Sequence, residues 1–143
     1  MMTGAEPPQV EMRFPARPGR LRRIRQMVRR HLMRRGCTEA CARDVVIAVD
    51  EACQNIIRHA YLSGPGDIIL YLRRDGDRVI VRLTDFAAPV DPAKVCPQPL
   101  DELRPGGLGT HLMRQVMDEI AFLPPPPGVG NLLQMIKKIG GAP

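Results

Sequence analysis

Val49-Asp50-Glu51-Ala52-Cys53-Gln54-Asn55-Ile56-Ile57-Arg58-His59-Ala60-Tyr61 combines apolar residues at helical spacing with a polar set four apart. It continues an apolar series that starts further back: Ala42, Val45, Val46, Val49, Ala52, Cys53, Ile56, Ile57 and Ala60 recur at helical spacing. Thr38, followed by Glu39 and Ala40, reads as a helix start with Thr38 as the cap. The periodicity therefore predicts one long helix over about 39–61, closed by Ser63-Gly64-Pro65-Gly66. Along it Glu51, Asn55 and His59 are spaced four apart and form a polar stripe, with Asp50 turned about 100° away. A carboxylate can accept a proton or orient a hydroxyl. An amide oxygen can join the oxygen shell of Mg²⁺. On spacing alone, the solvated side of a helix has the same signature.

Upstream, Val10, Met12 and Phe14 alternate within Gln9 to Phe14, which predicts a short strand ended by Pro15, Pro18 and Gly19. A first helix is expected over about 20–35, stopped by Gly36. It carries Leu21, Ile24, Met27, Val28 and Leu32 on one face and most of a cluster of nine arginines between Arg17 and Arg35 on the other. Such a cluster suits nucleic acid, an acidic protein or a phosphate. The lack of aromatic stacking residues on that face, and of a following helix-turn-helix, argues against nucleic acid. Downstream, strands over Ile68–Arg73 and Val79–Leu83 flank Asp75-Gly76-Asp77, a hairpin turn signal. A loop rich in Pro and Gly spans Ala87 to Gly107. Then come a helix over Gly109–Met117, a short strand over Ile120–Leu123, a proline-rich turn and a last strand over Leu132–Ile139.

Strand, helix, helix, strand, strand, loop, helix, strand, strand is an α+β order. It predicts a two-layer α/β sandwich: a mixed sheet with the helices packed on one face. The 143 residues, 44% of them hydrophobic, suffice for one domain with a real core. Aromatics make up 3% and tryptophan is absent, so aliphatic residues and methionine must fill that core. Residues 1–8 read as a disordered N-terminus and 9–140 as the domain. No apolar run approaches the roughly 18 residues of a membrane span, and no export signal is evident, so a cytoplasmic protein is expected. Cys37, Cys41, Cys53 and Cys96 lack finger-like spacing, so neither zinc nor a disulfide is expected.

Two further features carry chemistry. Asp85 ends a strand, where a carboxylate can accept a hydrogen bond from a ligand amine. Gly106-Gly107-Leu108-Gly109-Thr110 precedes a helix, whose exposed amides suit phosphate oxygens. It is neither a Walker loop nor a dinucleotide fingerprint, and a plain glycine-rich helix start looks much the same.

Together these pieces resemble the serine-kinase anti-sigma factors of the histidine-kinase-like ATPase superfamily. The Val49–Tyr61 stretch is similar to the family's first box, and Asp85-Phe86-Ala87-Ala88-Pro89-Val90-Asp91-Pro92 to its second. Gly106 to Gly109, leading into His111-Leu112-Met113, resembles the third, and Gly130-Asn131-Leu132-Leu133-Gln134-Met135-Ile136-Lys137-Lys138 the closing strand. The resemblance implies ATP and Mg²⁺ as cofactors, and transfer of the γ-phosphate to a Ser or Thr of an anti-anti-sigma protein. Glu51 is then the general base or hydroxyl orienter, Asn55 the Mg²⁺ ligand and Asp85 the adenine acceptor. Gly107, Leu108, Gly109 and Thr110 border the phosphates, beneath a lid over about 95–107 that carries Arg104. Ala87 stands where the family usually has glycine, against the base, and keeps open a second expectation: a partner-switching module that has lost catalysis. The implied partners are a sigma factor and the anti-anti-sigma protein, with a homodimer through the first strand and the Arg-rich helix.

Overall fold

Strand β1 (Gln9–Pro15) turns its Phe14 side chain inward, and Val10 and Met12 follow on the same face. A computed structural model describes residues 9–88 and 108–139, with backbone alone for residues 108–110. After β1 a single 3₁₀ turn, Pro18–Arg20, leads into α1 (Leu21–Arg34). Proline suits that turn because its missing N–H has no partner at a helix start anyway. Leu21, Ile24, Val28 and Leu32 are buried along one stripe of α1. The helix ends in a Schellman motif: Gly36 takes φ +85°, Cys37 N–H donates to Leu32 O at 3.0 Å and Gly36 N–H to Met33 O at 3.1 Å.

Helix α2 (Glu39–Asn55) opens as expected, with Thr38 Oγ1 accepting from Cys41 N–H at 3.1 Å. The anticipated long helix is corrected at its end. Residues Ile56–Ala60 form a π-helical turn, closed by Tyr61 N–H donating to Ile56 O at 2.9 Å. The wider turn keeps Ile56 and Ile57 buried while it carries Tyr61 toward the sheet.

Strands β2 (Asp67–Asp75) and β3 (Arg78–Asp85) form the hairpin anticipated from Asp75-Gly76-Asp77. Asp75 pairs with Arg78 across a two-residue loop in which Gly76 holds φ +63°, a conformation glycine adopts at no steric cost. Then come α3 (Leu108–Val116), β4 (Glu119–Leu123) and β5 (Asn131–Lys138). The strand order is β1-β2-β3-β5-β4.

The two-layer fold stands, with one correction: every pairing in the sheet is antiparallel, where a mixed sheet was expected. The cause is topological. The α3 crossover brings β4 back in the same direction as β3, but β5 then inserts between them and runs against both. The helical layer covers the face that carries Ile68, Leu70, Leu72, Val81, Leu83 and Met135, all essentially solvent-free. Helix α2 lies centrally in that layer, with α1 on one flank and α3 on the other. No described helix is long and apolar enough to cross a membrane.

Candidate functional site

The two flanks of α2 do different things. Asp50 faces α1: its carboxylate accepts from Arg25 Nη1 at 2.8 Å and from Gln54 Nε2 at 2.7 Å, and Gln54 in turn accepts from Arg58. Asp44, Glu51 and Asn55 share a different line, because seven and four residues return nearly to the same helical angle. That line faces α3. Lys137 Nζ donates both to Asp44 Oδ2 at 3.0 Å and to Val116 O, the last residue of α3, at 2.8 Å. Helix α3 thus packs along α2 and ends at Val116, which Lys137 ties to Asp44.

Among the described residues, Glu51 makes no hydrogen bond or ion pair. The Nδ2 atom of Asn55 is buried and has no hydrogen-bond partner. A buried amide group without a partner is costly and signals a missing contact. Amide oxygen and nitrogen exchange by a simple flip, so the same position can present an oxygen.

The second centre lies where β3 ends. Asp85 is only 3% exposed. Its Oδ1 accepts from Ala87 N–H at 3.1 Å and from Asn131 Nδ2 at 3.0 Å, and its main-chain oxygen accepts from Gly130 N–H at 2.9 Å. Asn131 also reaches Ala88 O at 3.3 Å. Here the structure relocates the demand for glycine. A Cβ on Gly130 would sit 1.9 Å from Ala87 O, so the missing side chain is on the residue just before β5 and makes room for the backbone at Ala87. Ala87 is not among the non-glycine residues with positive φ, so its methyl requires no strained backbone.

Residues 14–137 match the family described as Histidine kinase-like ATPase domain. Over 139 residues the chain is 32% identical to the serine-protein kinase RsbW of Staphylococcus aureus, covering 90% of this chain and 87% of the relative. This chain belongs to the serine-kinase anti-sigma factor family. A second relative, the serine-protein kinase RsbW of Bacillus cereus (strain AH187), is 30% identical over 123 residues, covering 80% of this chain and 77% of the relative. A solved structure of the RsbU and RsbW domains of Rv1364c from Mycobacterium tuberculosis superposes with a TM-score of 0.66 at 15% identity. It covers 93% of this chain, which spans 32% of that longer one, and at that identity it speaks for the fold alone. Family membership makes the chain a kinase-like module of the partner-switching type, on a fold that implies nucleotide binding in general.

On this family fold Leu108, Gly109 and Thr110 form the first turn of α3, while Arg104, Gly107 and the expected lid lie outside the described residues, as does Cys96. Cys37, Cys41 and Cys53 are buried and free. Burial, with Cys37 as neighbour, pushes the Cys41 thiol up to about 11. The functional contacts of Asn131, Lys137 and Tyr61 are not apparent from residue type and spacing alone. The first two carried a signal: alternation along β5 directs Asn131 and Lys137 to the same inward face as Leu133 and Met135, where a polar side chain needs a purpose.

Proposed function

We propose that this chain binds Mg·ATP between the α3-facing flank of α2 and the Asp85 turn, and transfers the γ-phosphate to a Ser or Thr hydroxyl of an anti-anti-sigma protein. The observation that carries this reading is the pairing of an unsatisfied Asn55 amide and an unengaged Glu51 carboxylate with a buried, hydrogen-bonded Asp85 on one family fold. In this reading the Asp85 carboxylate accepts from the adenine amino group. Backbone amides at Gly109 and Thr110, at the positive end of α3, take phosphate oxygens, with Gly107 and Leu108 beside them and Arg104 reaching in from the lid. Ala87 lies against the base.

Asn55 fits a magnesium ion, which takes few protein ligands beside phosphate and water. Among the described residues no group of three His, Cys, Asp or Glu side chains gathers to hold a metal, so the ion would come with the nucleotide. When bound, it neutralises charge on the phosphates. Glu51 orients the attacking hydroxyl and receives its proton as the new P–O bond forms and the bond to ADP breaks. The remaining groups act by position and charge.

The same reading gives the chain a sigma factor as its second partner, a cytoplasmic location, and a homodimer through β1 and α1. The exposed arginines of α1, including Arg22, Arg23 and Arg30, suit an acidic partner surface. Incubation with labelled ATP, Mg²⁺ and a Ser-bearing anti-anti-sigma protein tests the proposal. Glu51→Ala is expected to lower transfer by about 10²–10⁴-fold and to leave ATP binding largely intact. Equal transfer by variant and parent rejects the role of Glu51. ATP-independent partner binding, with no phosphorylated product, instead supports a partner-switching module without catalysis.

A further inference from the structure

Tyr61 lies beyond the polar stripe, yet its hydroxyl meets the Asp85 turn. Tyr61 Oη donates to Asp67 O at 2.6 Å and accepts from Phe86 N–H at 2.7 Å. Phe86 directly follows Asp85, and the next amide, Ala87 N–H, donates to Asp85 Oδ1. The same hub closes on itself. Arg13 Nε donates to Asp67 Oδ2 at 2.8 Å, and the Arg13 guanidinium sits 4.8 Å from the centroid of the Phe86 ring.

The backbone is shaped to put the phenol there. The π-helical turn replaces the last turn of α2 directly after Asn55. Leu62 and Ser63 then take φ of 51° and 61°, a region non-glycine residues rarely occupy. Leu62 is also 79% exposed, so no burial of its side chain offsets that conformation. Strain kept where a side chain is aimed at a binding turn is the pattern of a positioning device. Gly66 completes the fit: a Cβ there would meet the Tyr61 ring at 2.3 Å.

We infer that Tyr61 is a positioning residue for base recognition, its hydroxyl fixing the Phe86 amide so that the Asp85 carboxylate is held ready for an adenine amino group. The inference rests on the reading of Asp85 given above. It also links the two ends of the site, since one helix carries Asn55 and, through its π turn, Tyr61. Burial raises the phenol's pKa, which keeps it neutral and able to donate as well as accept.

Titrations with ATP, GTP and inorganic triphosphate, all with Mg²⁺, test it on the parent, Tyr61→Phe, Asp85→Asn and the double variant. Tyr61→Phe is expected to weaken ATP by about three- to tenfold, the worth of one hydrogen bond, with GTP and triphosphate unchanged. In the Asp85→Asn background it is expected to add nothing, because the two act through one contact. Gly66→Ala, which displaces the ring and keeps the phenol, is expected to reproduce the loss, so the result does not hang on one variant. A Tyr61→Phe effect equal for ATP and triphosphate, or undiminished in the Asp85→Asn background, overturns the inference. So does an unchanged ATP affinity beside a lowered urea midpoint, which is what a purely structural tyrosine gives. A parent that binds ATP no better than GTP refutes the reading of Asp85 itself and takes this inference with it. A parent that prefers ATP, with Tyr61→Phe and Gly66→Ala both silent, refutes the inference alone.

Discussion

Asn131 stands directly opposite Asp85 in the β3–β5 register, and its amide donates to the Asp85 carboxylate at 3.0 Å. Both side chains are buried. Asn131→Ala removes a donor from a buried acceptor and is expected to lower stability by about 1–3 kcal/mol in urea unfolding. Asn131→Asp sets two carboxylates against each other, which raises the pKa of the pair in the folded state. A raised folded pKa means the variant holds its stability at acid pH and loses it as pH climbs toward neutral. Urea midpoints at about pH 5 and about pH 8 read this, with a larger alkaline-side loss expected in the variant than in the parent.

Gly130→Ala is expected to damage the site more than any exchange at position 87. Its Cβ would lie 1.9 Å from Ala87 O, and the atom in the way is main chain, so no rotamer relieves it. A loss of about 1–3 kcal/mol and weaker nucleotide binding are expected. Ala87→Gly leaves the clashing carbonyl in place and should not rescue the variant. Recovery of stability in the double variant would show that the conflict lies with the Ala87 side chain after all.

Lys137 ties α3 to α2 through Val116 O and Asp44. Its side chain is 19% exposed and that of Asp44 27%, so the pair is only partly screened by solvent. Lys137→Met keeps the aliphatic bulk but strands the carboxylate and the helix-end carbonyl. We expect a loss of about 1–3 kcal/mol and faster amide exchange in α3 than in α1. Uniform exchange across the helical layer would count against a strut at this position.

Alkaline pH should destabilise the fold in a definite window. Burial raises the Cys41 thiol from 9.0 to about 11, and also raises Cys53 and the Tyr61 phenol. These groups stay protonated when folded but ionise earlier when unfolded. The Cys41 contribution is therefore complete below the ordinary thiol value of 9.0 and is lost as pH rises to about 11, while Cys53 and Tyr61 carry the loss on to higher pH. Urea midpoints at about pH 8 and about pH 10.5 measure the drop, and Cys53→Ala should make it shallower. A parent midpoint that stays level over that range would contradict the assignment.

Much of this was legible in the residues themselves. The Leu21–Leu32 stripe, the Thr38 cap and the Asp75-Gly76-Asp77 turn are local signals, and each produced its element. What escaped was non-local. Nothing in residues 119–138 states that β5 enters between β3 and β4, because pairing partners are set by the packed layer and not by alternation. The π turn escaped because Ile56, Ile57 and Ala60 satisfy an α-helical period equally well; only the need to deliver Tyr61 to Asp67 and Phe86 distinguishes the two. At the site, Glu51, Asn55 and Asp85 stood out by residue type and spacing. Asn131 and Tyr61 act by touching residues 46 and 25 positions away, a relation no window of sequence contains.

The spatial order of the strands also bears on synthesis. As the polypeptide leaves the ribosome, β1, β2 and β3 can pair in turn, each with its immediate predecessor. β4 cannot: among the described residues its one neighbour is β5, and β5 also covers the open edge of β3. Two unpaired edges therefore persist until residues 131–138 emerge, and both are sealed in one late event. A nascent chain stalled short of that segment would expose them to aggregation or to a chaperone.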